Sequence, residues 1–163
     1  MTKETIITYL ENILEEQLFG FEWHVNWQQR QHLIEVAVVL YAEAHGELVT
    51  SDVDGTVNEP HLIQFEDSIC FYDPHKSKIL PDDYLKTIPF DSKAGIEKGL
   101  LDAVIKVLRI TAQEGQSNLI EFVKDPAIET FELIWNETNL ENTINTLKSI
   151  DRYNKQRVPY PKY

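Results

Sequence analysis

The sequence predicts an α+β fold in two layers: an antiparallel sheet of about five to six strands with three helices, in the order α-β-β-β-β-α-β-α. Three observations carry that expectation. Apolar residues recur at three- and four-residue spacing near the start, in the middle and near the end of the chain. From Phe21 to Tyr72 the period falls to two, as on a half-buried strand. Regular alternation of strand and helix is missing, so a doubly wound parallel sheet is not the natural arrangement.

Each element has its own warrant. Thr2 to Leu18 reads as a helix, with Ile6, Leu10, Ile13, Leu14 and Leu18 on one stripe, Thr2 as its cap and Gly20 as its stop. Phe21, Trp23, Val25 and Trp27 alternate with Glu22, His24 and Asn26, which makes a strand with one aromatic face. After the polar break Gln28 to Gln31, Leu33 to Ala44 is continuously apolar from Val36 to Tyr41, as expected of a central strand. Leu48 to Ser51 and Thr56 to Val57 flank Asp54-Gly55, a favoured pair for a two-residue hairpin turn. Leu62 to Tyr72 reads as a further strand, broken or bulged near Glu66 and ended by Asp73-Pro74. His75 to Phe90, with prolines at 81 and 89 and Pro74 just before it, reads as irregular, with one helical turn near Asp82 to Lys86.

The middle helix is expected from Ser92 to about Thr111, capped by Asp91 or Ser92. Its polar residues Lys98, Asp102, Lys106 and Arg109 share one narrow stripe, so the rest must be covered on more than one side, by the sheet and by another helix or a second subunit. Leu119 to Val123 extends it beyond a polar break at Glu114-Gly115-Gln116. Glu129 to Trp135 returns to alternation and is expected to add a strand to the sheet. Thr138-x-x-Glu141 forms a capping box, followed by Leu140, Ile144, Leu147 and Ile150 on a last helix.

The 163 residues suit a single domain, residues 1–151, with a short tail behind it. The net charge of −12 repels phosphate backbones and anionic membranes, so neither nucleic acid nor membrane is an expected partner. The charge is uneven. Residues 152–163 hold four basic residues and no acids, leaving 11 basic and 27 acidic residues before them, a net of −16. That basic end is expected to be mobile; its competitor is a tail laid on an acidic face of the same or a neighbouring chain. A single cysteine, Cys70, excludes an internal disulfide, and the first residues lead straight into the amphipathic pattern, which points to the cytoplasm.

Few residues carry nameable chemistry. No nucleotide-binding glycine loop and no Gly-x-Ser-x-Gly is present. The five histidines (24, 32, 45, 61, 75) form no helical metal pair, and one cysteine cannot build a thiolate zinc site. The aromatics Trp23, Trp27, Phe131 and Trp135 are candidates for a partner-binding surface, against the alternative that they are core. The preferred reading is a non-enzymatic protein- or peptide-binding module acting as a homodimer, without cofactor.

Asp52-Val53-Asp54-Gly55-Thr56-Val57 resembles the first motif of the haloacid-dehalogenase-like phosphatases. That resemblance implies Asp52 as the nucleophile that takes the phosphoryl group, Asp54 as general acid and base, and a magnesium ion that holds the phosphate. It spans about six residues, and the rest departs from the family's pattern: the motif should end a buried parallel strand, and no later strand with paired aspartates follows. The competing reading of the same residues is a hairpin corner.

Phe71-Tyr72-Asp73-Pro74, Asp83-Tyr84-Leu85, Ile88-Pro89-Phe90 and Gly99-Leu100-Leu101 give a broader likeness. Through them the whole chain resembles a small family of unknown function from low-GC Gram-positive bacteria. The resemblance implies a cytoplasmic α+β protein and supplies no catalytic residues. The order of elements also resembles small acidic secretion and export chaperones, a likeness of layout alone.

Overall fold

The computed structural model describes residues 4–18, 20–44, 61–125, 127–128 and 130–162. The chain runs α1 (Ile6–Gln17), β1 (Glu22–Gln28), β2 (Leu33–Ala44), β3 (His61–Tyr72), β4 (Lys86–Pro89), β5 (Ile96–Glu97), α2 (Lys98–Lys124), α3 (Glu137–Ser149) and β6 (Arg157–Val158). Short 3-10 turns occupy Gln29–Gln31 and Pro81–Asp83. The α+β class holds: among the described residues there are three helices and six strands in two sheets, one ordered β1-β2-β3-β4 and the other β5-β6.

The large sheet follows from alternation. In β2, Ile34, Val36, Val38, Leu40 and Ala42 point into the main core with the apolar stripes of α1 and α2. Their cross-strand neighbours, Trp23, Val25 and Trp27 on β1 and Ile63, Phe65, Ile69 and Phe71 on β3, share that side. Burial of this face is the principal stabilising term, at roughly 1.5–3 kcal/mol per large apolar side chain. The opposite face carries Glu22, His24, Asn26, Gln64 and Glu66, all exposed.

α2 lies against β2, flanked by α1 on one side and α3 on the other. Much of its apolar circumference is therefore covered within one chain. It runs 27 residues without interruption, longer than the sequence suggested. Gly115 does not break it. A Cβ there would lie 2.2 Å from Leu133 Cδ2 and 3.1 Å from Leu40 Cδ1, so the glycine is where the chain behind the helix packs down. α2 also starts late, at Lys98. Gly95 takes a φ of +75° beside the Val158 carbonyl, and Ile96–Glu97 pair with β6 before the helix begins.

Several expectations are corrected. β3 is one unbroken strand, paired with β2 from Tyr72 to His61 with no bulge at Glu66. β4 was read as irregular; it pairs parallel with β3, so the sheet is not wholly antiparallel. Four residues ending in proline are too few to show a period. The described residues of 129–135 form no strand. They cross the helix-covered side of the molecule, with Phe131 edge-on to Phe65 at 4.7 Å and Leu133 against Gly115. An extended segment crossing an apolar surface alternates as a strand does. Thr5, not Thr2, caps α1 in a box with Thr8, and Asn136 rather than Thr138 caps α3; Thr2 lies outside the described residues.

The basic C-terminal segment, expected to be a mobile tail, is laid on the body as a strap. Arg157–Val158 pair with Ile96–Glu97, and Val158 is buried. The Ile6 N–H, one of the orphan donors at the start of α1, donates to the Pro159 carbonyl at 3.0 Å. Tyr160 stacks on Phe90 and accepts a hydrogen bond from Trp27 Nε1 at 2.6 Å. Tyr153 covers Gly99, where a Cβ would meet its ring at 2.6 Å. Among the described residues no helix is long and apolar enough to cross a membrane.

Candidate binding groove

The sequence candidates separate in space. Asp52 and Asp54 lie outside the described residues. Their flanks are informative: residues 45–60 join the paired ends of β2 and β3, at Ala44 and His61, and β2 is antiparallel to both neighbours. A phosphatase nucleophile of the kind suggested would follow a parallel strand. His24 is exposed and bonded to Glu22 at 3.0 Å. Among the described residues no group of three or more histidine, cysteine, aspartate or glutamate side chains could hold a metal ion.

Cys70 is fully buried on β3. Burial pushes its thiol up to about 11. A nucleophilic cysteine needs the opposite, an accessible thiolate in a positive field.

The four aromatics do not form one surface. Trp27 belongs with Tyr160 at one end of the sheet. Phe131 packs on Phe65 and Phe122. Trp135 donates to Glu137 at 2.9 Å, and Trp23 lies half-buried beside the core.

What the helices do build is a groove. α1, α2 and the end of α3 enclose a cavity of about 300 Å³ lined by Tyr9, Glu16, Gln17, Asp102, Lys106 and Arg152 over Ile13 and Leu147. A second cavity of about 280 Å³ adjoins it between α2 and α3, sharing Lys106 and Leu147. It is lined by Ile110 and Ile150 and by Asn139, Asn142, Thr143 and Thr146. The spacing explains the lining. On α2, Asp102, Lys106 and Ile110 repeat every four residues along a stripe not committed to the core. On α3, positions 139, 142, 143, 146, 147 and 150 form one face.

The charged end is organised by one short contact. Tyr9 donates its hydroxyl to Asp102 Oδ1 at 2.5 Å. Burial, and after it this hydrogen bond, hold the Tyr9 hydroxyl well above its ordinary value. Burial raises the Asp102 carboxyl as well, against the opposing pull of the Tyr9 hydroxyl and the Lys106 ammonium. Lys98 sits 5.2 Å from the centre of the Tyr9 ring and pairs with Glu4 at 2.5 Å. Gln17 is held from behind by Arg109 at 3.1 Å. Asp102 is thus committed to Tyr9, while the Lys106 and Arg152 side chains form no salt bridge or hydrogen bond with the described residues.

Nothing in the sequence pointed to this groove. Its residues lie on three elements between 9 and 152, and each alone reads as ordinary helix surface. The one available signal was the α2 stripe, which reads equally well as a solvated face.

The four stretches that suggested a family have structural work. Asp73 is buried and its carboxylate accepts from the His75 N–H and from the Ser92 N–H and hydroxyl. Tyr84 covers Cys70, Phe90 carries Tyr160, and Gly99 receives Tyr153.

Residues 1–162 match the model of the family described as "Protein of unknown function (DUF3013)". The chain is also similar to a crystal structure of a conserved protein of unknown function from Enterococcus faecalis. That match has 38% identity and a TM-score of 0.84, over 99% of this chain and 98% of that one. No curated protein matches. The resemblance to a bacterial family of unknown function is thereby borne out.

Proposed function

The chain belongs to the DUF3013 family, and from that premise we propose that it is a non-enzymatic binding module whose ligand is an extended peptide segment of another protein, received in the groove between α1, α2 and α3. The observation that carries this reading is the pair of adjoining cavities around Lys106 and Leu147. One half offers charged groups. The other offers amides and hydroxyls at Asn139, Asn142, Thr143 and Thr146 beside two isoleucines. Amide side chains in a row suit a peptide backbone, which presents alternating donors and acceptors, and exposed Ile150 suits an apolar side chain. The chaperone-like expectation keeps only this general form, peptide binding without chemistry. The buried thiol gives no support to nucleophilic catalysis at Cys70.

A pool of N-acetylated random hexapeptides titrated into the isotope-labelled full chain tests the reading. Amide resonances of Lys106, Asn139, Thr143 and Leu147 are expected to move together. No movement, or movement confined to the open sheet face, rules out the groove. An aryl-phosphate assay with magnesium, on the natural chain and on Asp52→Asn, tests the competing reading; hydrolysis lost in the variant would replace this proposal.

A further inference from the structure

Resting on that peptide-binding reading, we infer that the Lys106–Arg152 end of the groove receives the C-terminal carboxylate of the bound peptide. Three observations converge on an anion. First, Lys106 and Arg152 line the same cavity and neither forms an ion pair with the described residues, in a chain with 27 acidic and 15 basic residues. Second, the acid nearest to them is already engaged. Asp102 takes the Tyr9 hydroxyl at 2.5 Å, which leaves the Lys106 ammonium, four residues along α2, with donors to spare. Glu16 lines the cavity from α1 and is exposed; with Asp102 it balances the two cations, so the empty groove is close to neutral and an anion enters against no excess of like charge.

Third, the cavity beyond Lys106 changes character. It has no acid and no cation other than Lys106 itself, only Asn and Thr side chains and two isoleucines. A ligand spanning both cavities is anionic at one end and uncharged, hydrogen-bonding and partly apolar along the rest. A peptide terminus has that distribution: one carboxylate, then a backbone. An internal peptide segment lacks the charge, and a free small carboxylate leaves the second cavity unused. Arginine suits the carboxylate because its planar fork can hold both oxygens, with lysine as a point charge beside it. Arg152 is the first residue of the strap, and its N–H donates to the Leu147 carbonyl at 2.8 Å. The strap that closes the fold therefore also brings a cation to the groove.

The experiment compares matched peptides. An arrayed set of N-acetylated hexapeptides is prepared twice, with a free C-terminal carboxylate and with a C-terminal amide, and titrated into the full chain and into Lys106→Gln and Arg152→Gln. Melting curves confirm that each variant folds; both positions are on the surface side of their elements. The free acids are expected to bind about tenfold or more tighter than the amides, the cost of losing a charge-assisted hydrogen bond. Each variant is expected to weaken the free acids by about tenfold more than the amides, erasing most of that difference. Acids and amides that bind alike, or variants that weaken both equally, would overturn the carboxylate inference and leave the groove standing. Acetate alone binding as tightly as the peptide acids would overturn the peptide source. Failure of both peptide sets to bind would remove the groove proposal with it.

Discussion

The two faces of the large sheet use the same strands for different ends. On one side of β2, Ile34, Val36, Val38, Leu40 and Ala42 vanish under helices. On the other, among the described residues, the polar groups largely satisfy one another. Glu22 bonds to both His24 and Tyr41, at 3.0 and 2.8 Å, and Glu35 accepts from Gln28 at 3.4 Å. The helix layer is the reverse of what a simple inside-outside picture suggests. It makes the core, and on its outer side it also holds the groove where Lys106 and Arg152 have no ion-pair partner. A sheet face whose centre is buried at Leu33, Ala37, Val39 and Cys70 and whose exposed polar rim bonds to itself is a finished surface. A seam between helices with charges left over is not. The proposed groove lies on the helix side, where such charges remain.

The largest test of that contrast is removal of the strap. A chain ending at Asp151 loses the burial of Tyr153, Val158 and Tyr160, the β6 pairing and the Pro159 acceptor at α1. At roughly 1.5–3 kcal/mol per buried side chain the loss is about 5 kcal/mol, a large part of the stability of an ordinary domain. A circular-dichroism melt should show a chain unfolded or melting far below the natural one. A melting temperature within a few degrees of it would mean that the strap is only lodged on the surface.

Next in size is a pair of neighbours on β2. Leu40→Ala on the helix side should cost about 2–5 kcal/mol in urea unfolding, because it empties a fully buried site. Tyr41→Phe on the open side should cost within about 0.5 kcal/mol, since it removes one exposed hydrogen bond to Glu22. Similar losses at the two positions would break the distinction between the faces.

The smallest effect concerns Asp102. Its carboxyl is raised by burial, so the fold favours the protonated form. The stability it contributes is complete below the ordinary value of 3.8 and is lost as pH rises through the higher folded value. At pH 7 the natural chain has therefore already lost it. Asp102→Asn keeps the acceptor for Tyr9 without the charge and should melt about 2 °C higher at pH 7, with the gap closing as pH falls below 4. A gap that widens on acidification would mean that Asp102 is stabilised as the anion.

The sequence by itself determined the class, the long helices and the strands that alternate. Those signals are local: a stripe at Ile6, Leu10 and Leu14, or the two-residue period of Trp23, Val25 and Trp27, is imposed by one buried face and survives in the order of residues. The family was also legible there, in residues that prove to anchor the strap and the crossover into β4. What only the tertiary structure decided shares one physical cause, a partner distant in sequence. β4 is a strand because β3 offers it a parallel edge. Gly115 continues a helix, where a polar break suggested an end, because Leu133 needs its space. Residues 130–135 alternate without pairing because they cross an apolar surface. The basic end is held because Ile6, Trp27, Phe90 and Gly99 are waiting for it. The groove depends on such distance most of all. Tyr9, Asp102, Lys106 and Arg152 acquire a joint meaning only when α1, α2 and the end of α3 meet, so no stretch of the sequence contains it.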